Sequence, residues 1–142
     1  MTKEDKELLL KDLCARLPYM PKIKITYQQQ GIKGTDEGNV SCDAIEHIVN
    51  DLRNGVITDM QIYLRPMSSM TDEEREEWTD LFLISVVTEL EQYSDDEAED
   101  IAPKLYAKSH VKSINWLNKH HFDYNGLIEK GLALEAPKGI YN

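Results

Sequence analysis

The chain has 142 residues, 41% hydrophobic and 30% charged, with a formal net charge of −10. That length fits one domain of common size, and the balance is ordinary for a soluble globular protein and too apolar for a disordered chain. Two cysteines, Cys14 and Cys42, exclude a disulfide-stapled secreted fold and a cysteine zinc site, and read as reduced thiols used for packing.

The first element is a helix from Thr2. Thr2 and Asp5 have capping-box spacing, and Leu9, Leu13 and Leu17 recur every four residues. Pro18 stops it, because a residue before proline avoids helical geometry. Lys22 to Lys33 reads as a strand, Ile23, Ile25 and Tyr27 alternating with polar residues, and Gly31, Gly34 and Asp36-Glu37-Gly38-Asn39 read as turns. Asp43 to Arg53 reads as a helix, with a capping-box pair at Asp43 and Glu46 and an Asn54-Gly55 end. The alternative makes Asn54-Gly55 a hairpin turn. Val56 to Leu64 is the next strand, ended by Pro66.

Thr71 and Glu74 open a second strong helix. Trp78, Phe82, Val86, Leu90 and Tyr93 form its stripe, broadened by Leu81, Leu83, Ile84 and Val87. Ser94 to Glu97 reads as a break, followed by a shorter helix interrupted at Pro103. A third helix spans residues 109–120, with Val111, Ile114, Leu117 and His121 at helical spacing and Trp116 beside Ile114. The remainder is a surface tail or a short closing strand at Leu132 to Leu134. The fold class expected is α+β: an N-terminal helix, a small antiparallel sheet, and a helical C-terminal half. A single domain is expected over residues 1–142, with the sheet in about 19–66 and the mainly helical part in about 71–142.

Charge is segregated. Residues 71–100 carry thirteen acids against Arg75 alone, whereas residues 101–120 hold Lys104, Lys108, Lys112 and Lys119 and no acid. Such blocks pair internally, contact a partner, or are solvated helix faces. Lys104, Lys108 and Lys112 would form a basic stripe on one continuous helix, yet three lysines beside so acidic a segment argue against nucleic acid.

No nucleophile elbow, phosphate loop or dinucleotide fingerprint is present, so no catalytic residue and no cofactor is assigned. His120 and His121 are adjacent, and neighbouring helical positions diverge by about 100°, so they cannot chelate one ion from a regular helix; no metal site is expected. The binding candidates are Arg65, Trp116, His120, His121, Asp123 and Tyr124. Arg65, an isolated cation beside Pro66, suits an anionic ligand or a salt bridge. No apolar run approaches the ~18 residues of a membrane span, and Met1 to Asp5 begins no secretory signal, so a cytoplasmic location is expected.

Three blocks carry a resemblance: Leu8 to Tyr19 (LLLKDLCARLPY), Tyr63 to Thr71 (YLRPMSSMT), and Trp116 to Tyr124 (WLNKHHFDY) with the Gly126-Leu127-Ile128 and Gly131 to Pro137 (GLALEAP) stretches after it. These resemble a family of small proteins of gut Bacteroides and relatives, often found in phage or prophage and without an assigned activity. Residues 22–60 and 78–112 depart from its pattern. The resemblance implies a bacterial cytoplasmic setting of mobile-element origin and no catalytic residues. The function expected is a non-enzymatic binding or interaction protein, with a protein partner, a second copy or a signal molecule as target and residues 71–100 or 116–128 as contact surface. The alternative is a ligand-binding or hydrolytic protein with a pocket around Arg65, His120, His121 and Asp123; a nucleic-acid accessory role ranks third.

Overall fold

The computed structural model describes residues 1–81 and 85–141, and of Ser85 the backbone alone. Phe82, Leu83 and Ile84, placed by the sequence on the apolar stripe, lie outside the described residues. The chain forms two compact units, one of residues 1–67 with 118–142 and one of residues 68–117.

In the first unit, helix α1 (Lys3–Arg16) opens with the expected capping box: Asp5 N donates to Thr2 Oγ1 at 3.0 Å and Thr2 N to Asp5 Oδ2 at 3.1 Å. Two otherwise unpaired amides of the first turn are thereby satisfied. Leu9, Leu13 and Leu17 face the core. Pro18 does not end the helical path at once. Leu17–Tyr19 tightens into a 3-10 turn with proline in its first positions, where no N–H is needed, and Met20 ends it at φ +50°.

Strand β1 (Lys22–Gln29) pairs antiparallel with β2 (Ile32–Asn39), from Lys22 opposite Asn39 to Gln29 opposite Ile32. This corrects the reading of Asp36 to Asn39 as a turn. The reversal is Gln30-Gly31, both at positive φ (+51° and +78°), as the twist of a two-residue hairpin demands. That turn sets the register, and register carries the weak strand formers of β2 along.

Helix α2 (Ile45–Arg53) is present, so the hairpin alternative falls. Its N-cap is Ala44 with no side-chain capping bond, so the Asp43–Glu46 pair does not act as a capping box. Ile45, Ile48 and Leu52 pack on the core. Strand β3 (Ile57–Leu64) pairs antiparallel with β1, Ile23 opposite Ile62, with a bulge at Thr26/Tyr27. The short β4 (Ala133–Glu135) then joins β3 in parallel, giving the order β2-β1-β3-β4. The sheet is therefore mixed rather than antiparallel. Parallel neighbours need a long crossover, and here the crossover includes the whole second unit. Leu9, Leu13, Met60, Ile62, Leu64 and Leu127 are fully buried, Leu127 coming from the returning chain.

In the second unit, α3 (Asp72–Thr79) has the Thr71–Glu74 capping box, and α4 (Ser85–Leu90) follows. Ser94 and Glu97 are a capping box as well as a break: Glu97 N meets Ser94 Oγ at 3.4 Å and Ser94 N meets Glu97 Oε2 at 3.3 Å. They start α5 (Asp95–Lys119), which runs unbroken through Pro103. The expected pair of helices is thus one, because an internal proline removes one backbone bond while the capped first turns are already in place. Val111, placed on the buried stripe by period, is 57% exposed, whereas Ser109, Ser113, Trp116 and Leu117 are buried. Ser109 Oγ donates to Leu81 O at 2.8 Å. Cys14 and Cys42 are exposed thiols rather than packed ones. Among the described residues no helix is long and apolar enough to cross a membrane.

Candidate functional site

The first unit is sewn together where the chain leaves β3 and where it returns. Arg65 N donates to His121 O at 2.7 Å, and Asp123 N donates to Arg65 O at 2.8 Å. These two bonds pair Arg65 with Phe122 as an isolated parallel bridge. The Arg65 guanidinium stands over the Phe122 ring, 4.2 Å from its centroid, so a cation and its aromatic support arrive from distant parts of the sequence.

Where α5 ends, His121 N donates to Asn118 O at 3.1 Å and the His121 backbone turns to φ +62°. This is the left-handed position that commonly closes a helix, usually taken by glycine. A histidine there costs about 1 kcal/mol of backbone strain. Its ring is held in return: it is 6% exposed and stacks on Tyr141, centroids 3.5 Å apart and planes within 10°. The Tyr141 hydroxyl donates to Tyr63 O at 2.6 Å and accepts from Lys22 N at 2.8 Å. Tyr141 thereby fastens the chain beyond β4 to both β1 and β3.

Arg65, Lys119, His120 and His121 line one open cleft of about 270 Å³. Tyr19, Met20 and Ile140 add apolar and aromatic surface, and Asn39 and Tyr141 complete the wall. Among the described residues no aspartate or glutamate lines it. Burial above all, and then the nearby Arg16, His120 and Arg65, press the His121 pKa down to about 4, so its imidazole is neutral at physiological pH. Its Nδ1 is buried and has no hydrogen-bond partner among the described residues. Burial pushes the Tyr141 phenol up to about 12, and that hydroxyl is committed to the backbone.

Three of the six candidates from the sequence, Arg65, His120 and His121, therefore converge. The other three do not line the cleft. Asp123 is buried, its carboxylate accepting from Leu127 N at 2.8 Å and Ile128 N at 2.9 Å, so it anchors the next turn of backbone. Tyr124 donates to Asn118 Oδ1 at 2.7 Å, with Arg16 over its ring. Arg16 is wholly buried, bonded to Asp12 at 2.7 and 3.1 Å and to Phe122 O at 2.8 Å. Trp116 is buried and belongs to the second unit. Much of the 116–128 block, expected as a contact surface, is interior: Leu117, Asn118, His121, Phe122, Asp123 and Leu127 are all buried.

Sequence reasoning missed Lys119, Asn39, Tyr19 and above all Tyr141. Lys119 stands inside the Trp116–Tyr124 block and carried a signal; Tyr141, whose partner Lys22 lies 119 positions away, carried none. Among the described residues no three His, Cys, Asp or Glu side chains gather as a metal-binding set. Fold and site together describe an α+β protein with a cationic cleft. Comparison of the chain with protein-family models, curated proteins and solved structures finds no match.

Proposed function

We propose that this chain is a non-enzymatic binding protein whose cleft captures a small anionic molecule. The observation that carries the reading is the meeting of Arg65, Lys119 and His120 on one cleft wall, in a protein whose net charge is −10. A local cationic pocket in an anionic molecule concentrates the field on one ligand-sized space. The neutral His121 ring and the committed Tyr141 hydroxyl supply shape to the cleft wall. Such a role suits the phage-associated bacterial setting that the three sequence blocks suggest, where a small protein acts by sequestering a signal molecule.

Native mass spectrometry of protein purified at low salt from a bacterial cytosol tests this. A small anion is expected on the intact protein, released by denaturation and depleted in Lys119→Ala. No retained mass, together with no anion in a panel raising the melting temperature, would sink the reading.

A second reading, capture of a protein partner or a second copy, draws on the second unit. There the acids Asp72, Glu73, Glu76 and Glu77 are exposed, as are Val87 and Tyr106 at 54% and 48%. It predicts a complex that dissociates as salt rises. The nucleic-acid reading draws on Lys104, Lys108 and Lys112, all exposed on α5, but Lys108 and Lys112 share their shallow depression with Glu89, which weakens it.

A further inference from the structure

Independently of the cleft, we propose that the outer edge of the sheet is a dimer interface, β2 of one copy pairing antiparallel with β2 of a second copy about a two-fold axis at Thr35. In the order β2-β1-β3-β4, strand β2 is terminal and pairs with β1 alone among the described residues. Gln28 N donates to Val56 O at 2.8 Å, away from Lys33 opposite it. Alternation therefore turns the backbone amides and carbonyls of Lys33, Thr35 and Glu37 outward, to the free edge. Edges are commonly blunted by proline or a bulge. Strand β2 has neither, and runs eight residues against β1 without a shift of register. Glycine inside a strand marks the close approach of other groups. At Gly34 the space is taken by the Tyr27 ring, whereas at Gly38 a side chain would meet nothing within 4 Å.

One register satisfies both faces of that edge. With Thr35 opposite the partner's Thr35, Lys33 falls opposite the partner's Glu37, and Ile32 opposite the partner's Gly38. Each of the two Lys33–Glu37 pairs sets a cation against a carboxylate. Glu37 keeps its bond from the Tyr63 hydroxyl at 2.7 Å, since an ionised carboxylate has about four acceptor sites. The Glu37 amide, which donates to Asp36 Oδ1 at 2.9 Å, exchanges that acceptor for the partner's Lys33 carbonyl and frees an exposed carboxylate to water. On the other face, directly opposed residues point the same way, so Ile32 and Gly38 share the side that carries Ile23 and Ile25. Ile32 is 67% exposed, the most exposed large hydrophobic residue among those described. Gly38 lines an apolar cleft of about 160 Å³ walled by Ile23, Ile25, Val40, Ala44 and Ile48. The partner's Ile32 passes over Gly38 into that cleft and leaves water. A two-fold axis at Lys33, Asp36 or Glu37 would set like charges opposite, and one at Gly34 would set Ile32 against Asp36.

The test is sedimentation velocity of the full chain over a range of protein concentrations, at a salt that screens the −10 charge of each copy. A monomer–dimer equilibrium is expected. Lys33→Glu and Glu37→Lys each set like charges opposite twice, and each alone should weaken the dimer about tenfold. An equimolar mixture of the two variants restores both opposite pairs and should dimerise nearly as wild type does. Gly38→Val has open space to fold into and fills the seat of the partner's Ile32. Thr35→Pro removes an outward amide that β1 does not use. Both should lose the dimer while the circular dichroism of the monomer stays unchanged. A monomer at every concentration overturns the pairing, whether or not a foreign peptide then takes the edge. A dimer that survives Gly38→Val and Thr35→Pro, or a mixture that dimerises no better than its two components, overturns it as well and moves self-association to another surface. Each of these outcomes leaves the anion reading of the cleft to its own test.

Discussion

His121 joins a left-handed backbone to a buried ring, and both properties have measurable consequences. Its pKa falls from 6.5 when unfolded to about 4 in the fold, so the unfolded chain takes up a proton that the native state refuses. Stability is therefore unaffected above pH 6.5 and declines as pH drops from 6.5 to 4, by about 3 kcal/mol in all. Asparagine tolerates the left-handed region, so His121→Asn should keep the turn and lose this step. Urea midpoints taken across that pH window should converge for variant and wild type toward pH 4; parallel curves would refute the assignment. Arg16 and Asp12 make a second residue-scale case. Both are buried, and Asp12 also accepts from Asn125 Nδ2 at 2.8 Å. Removing Asp12 alone leaves Arg16 uncompensated, and Asp12→Ala should cost about 3–5 kcal/mol in urea unfolding. The double variant Asp12→Leu/Arg16→Met should recover much of that loss.

Among the elements, the hairpin of β1 and β2 is the clearest place to test local geometry. With Gln30 and Gly31 both at positive φ, Gly31→Ala should destabilise by about 1 kcal/mol and Gln30→Asn should be neutral or stabilising. Thermal unfolding of the two variants against wild type decides it; a neutral Gly31→Ala would refute the turn. The same hairpin shows where sequence reasoning reached and where it stopped. The starts of α1 and α3 were legible because capping boxes are written in residues three apart, and α2 because its apolar period is strong. The β2 strand was not, since Asp36 to Asn39 has no alternation and is strand only through its partners. The continuity of α5 through Pro103 is not legible either, because one helix breaker outweighs the two helical patterns that flank it. In the site, Arg65, His120 and His121 stood out as polar groups beside helix and strand ends. Their convergence was not readable, because it depends on the bridge between Arg65 and Phe122. Asp123 drew notice as a carboxylate near histidines, whereas its oxygens serve amides four and five residues ahead.

On the scale of the whole molecule, charge is the dominant variable. The acidic segment 71–100 lies within the second unit and the cationic cleft within the first. Added salt of any kind should relieve self-repulsion and raise the melting temperature modestly. At matched ionic strength, sodium phosphate should raise it further than sodium chloride, because a ligand bound only to the native state stabilises it by about 2.7 kcal/mol at a hundredfold excess over Kd. The excess should shrink in Lys119→Ala, which separates site binding from phosphate's general effect on burial; an undiminished excess would count against the site. The sheet order has a consequence for synthesis. Strand β4 and the Tyr141 fastening come from residues beyond 130, whereas β1 to β3 emerge from the ribosome in the first half of the chain. Until residues 127–141 are free, the nascent sheet has a bare β3 edge, with Ile62 and Leu64 lacking the cover of Leu127. The second unit, built from near neighbours in sequence, is complete by then. The first unit to begin is therefore the last to close. A nascent chain that has released residues 1–117 but not β4 is the species most in need of a chaperone.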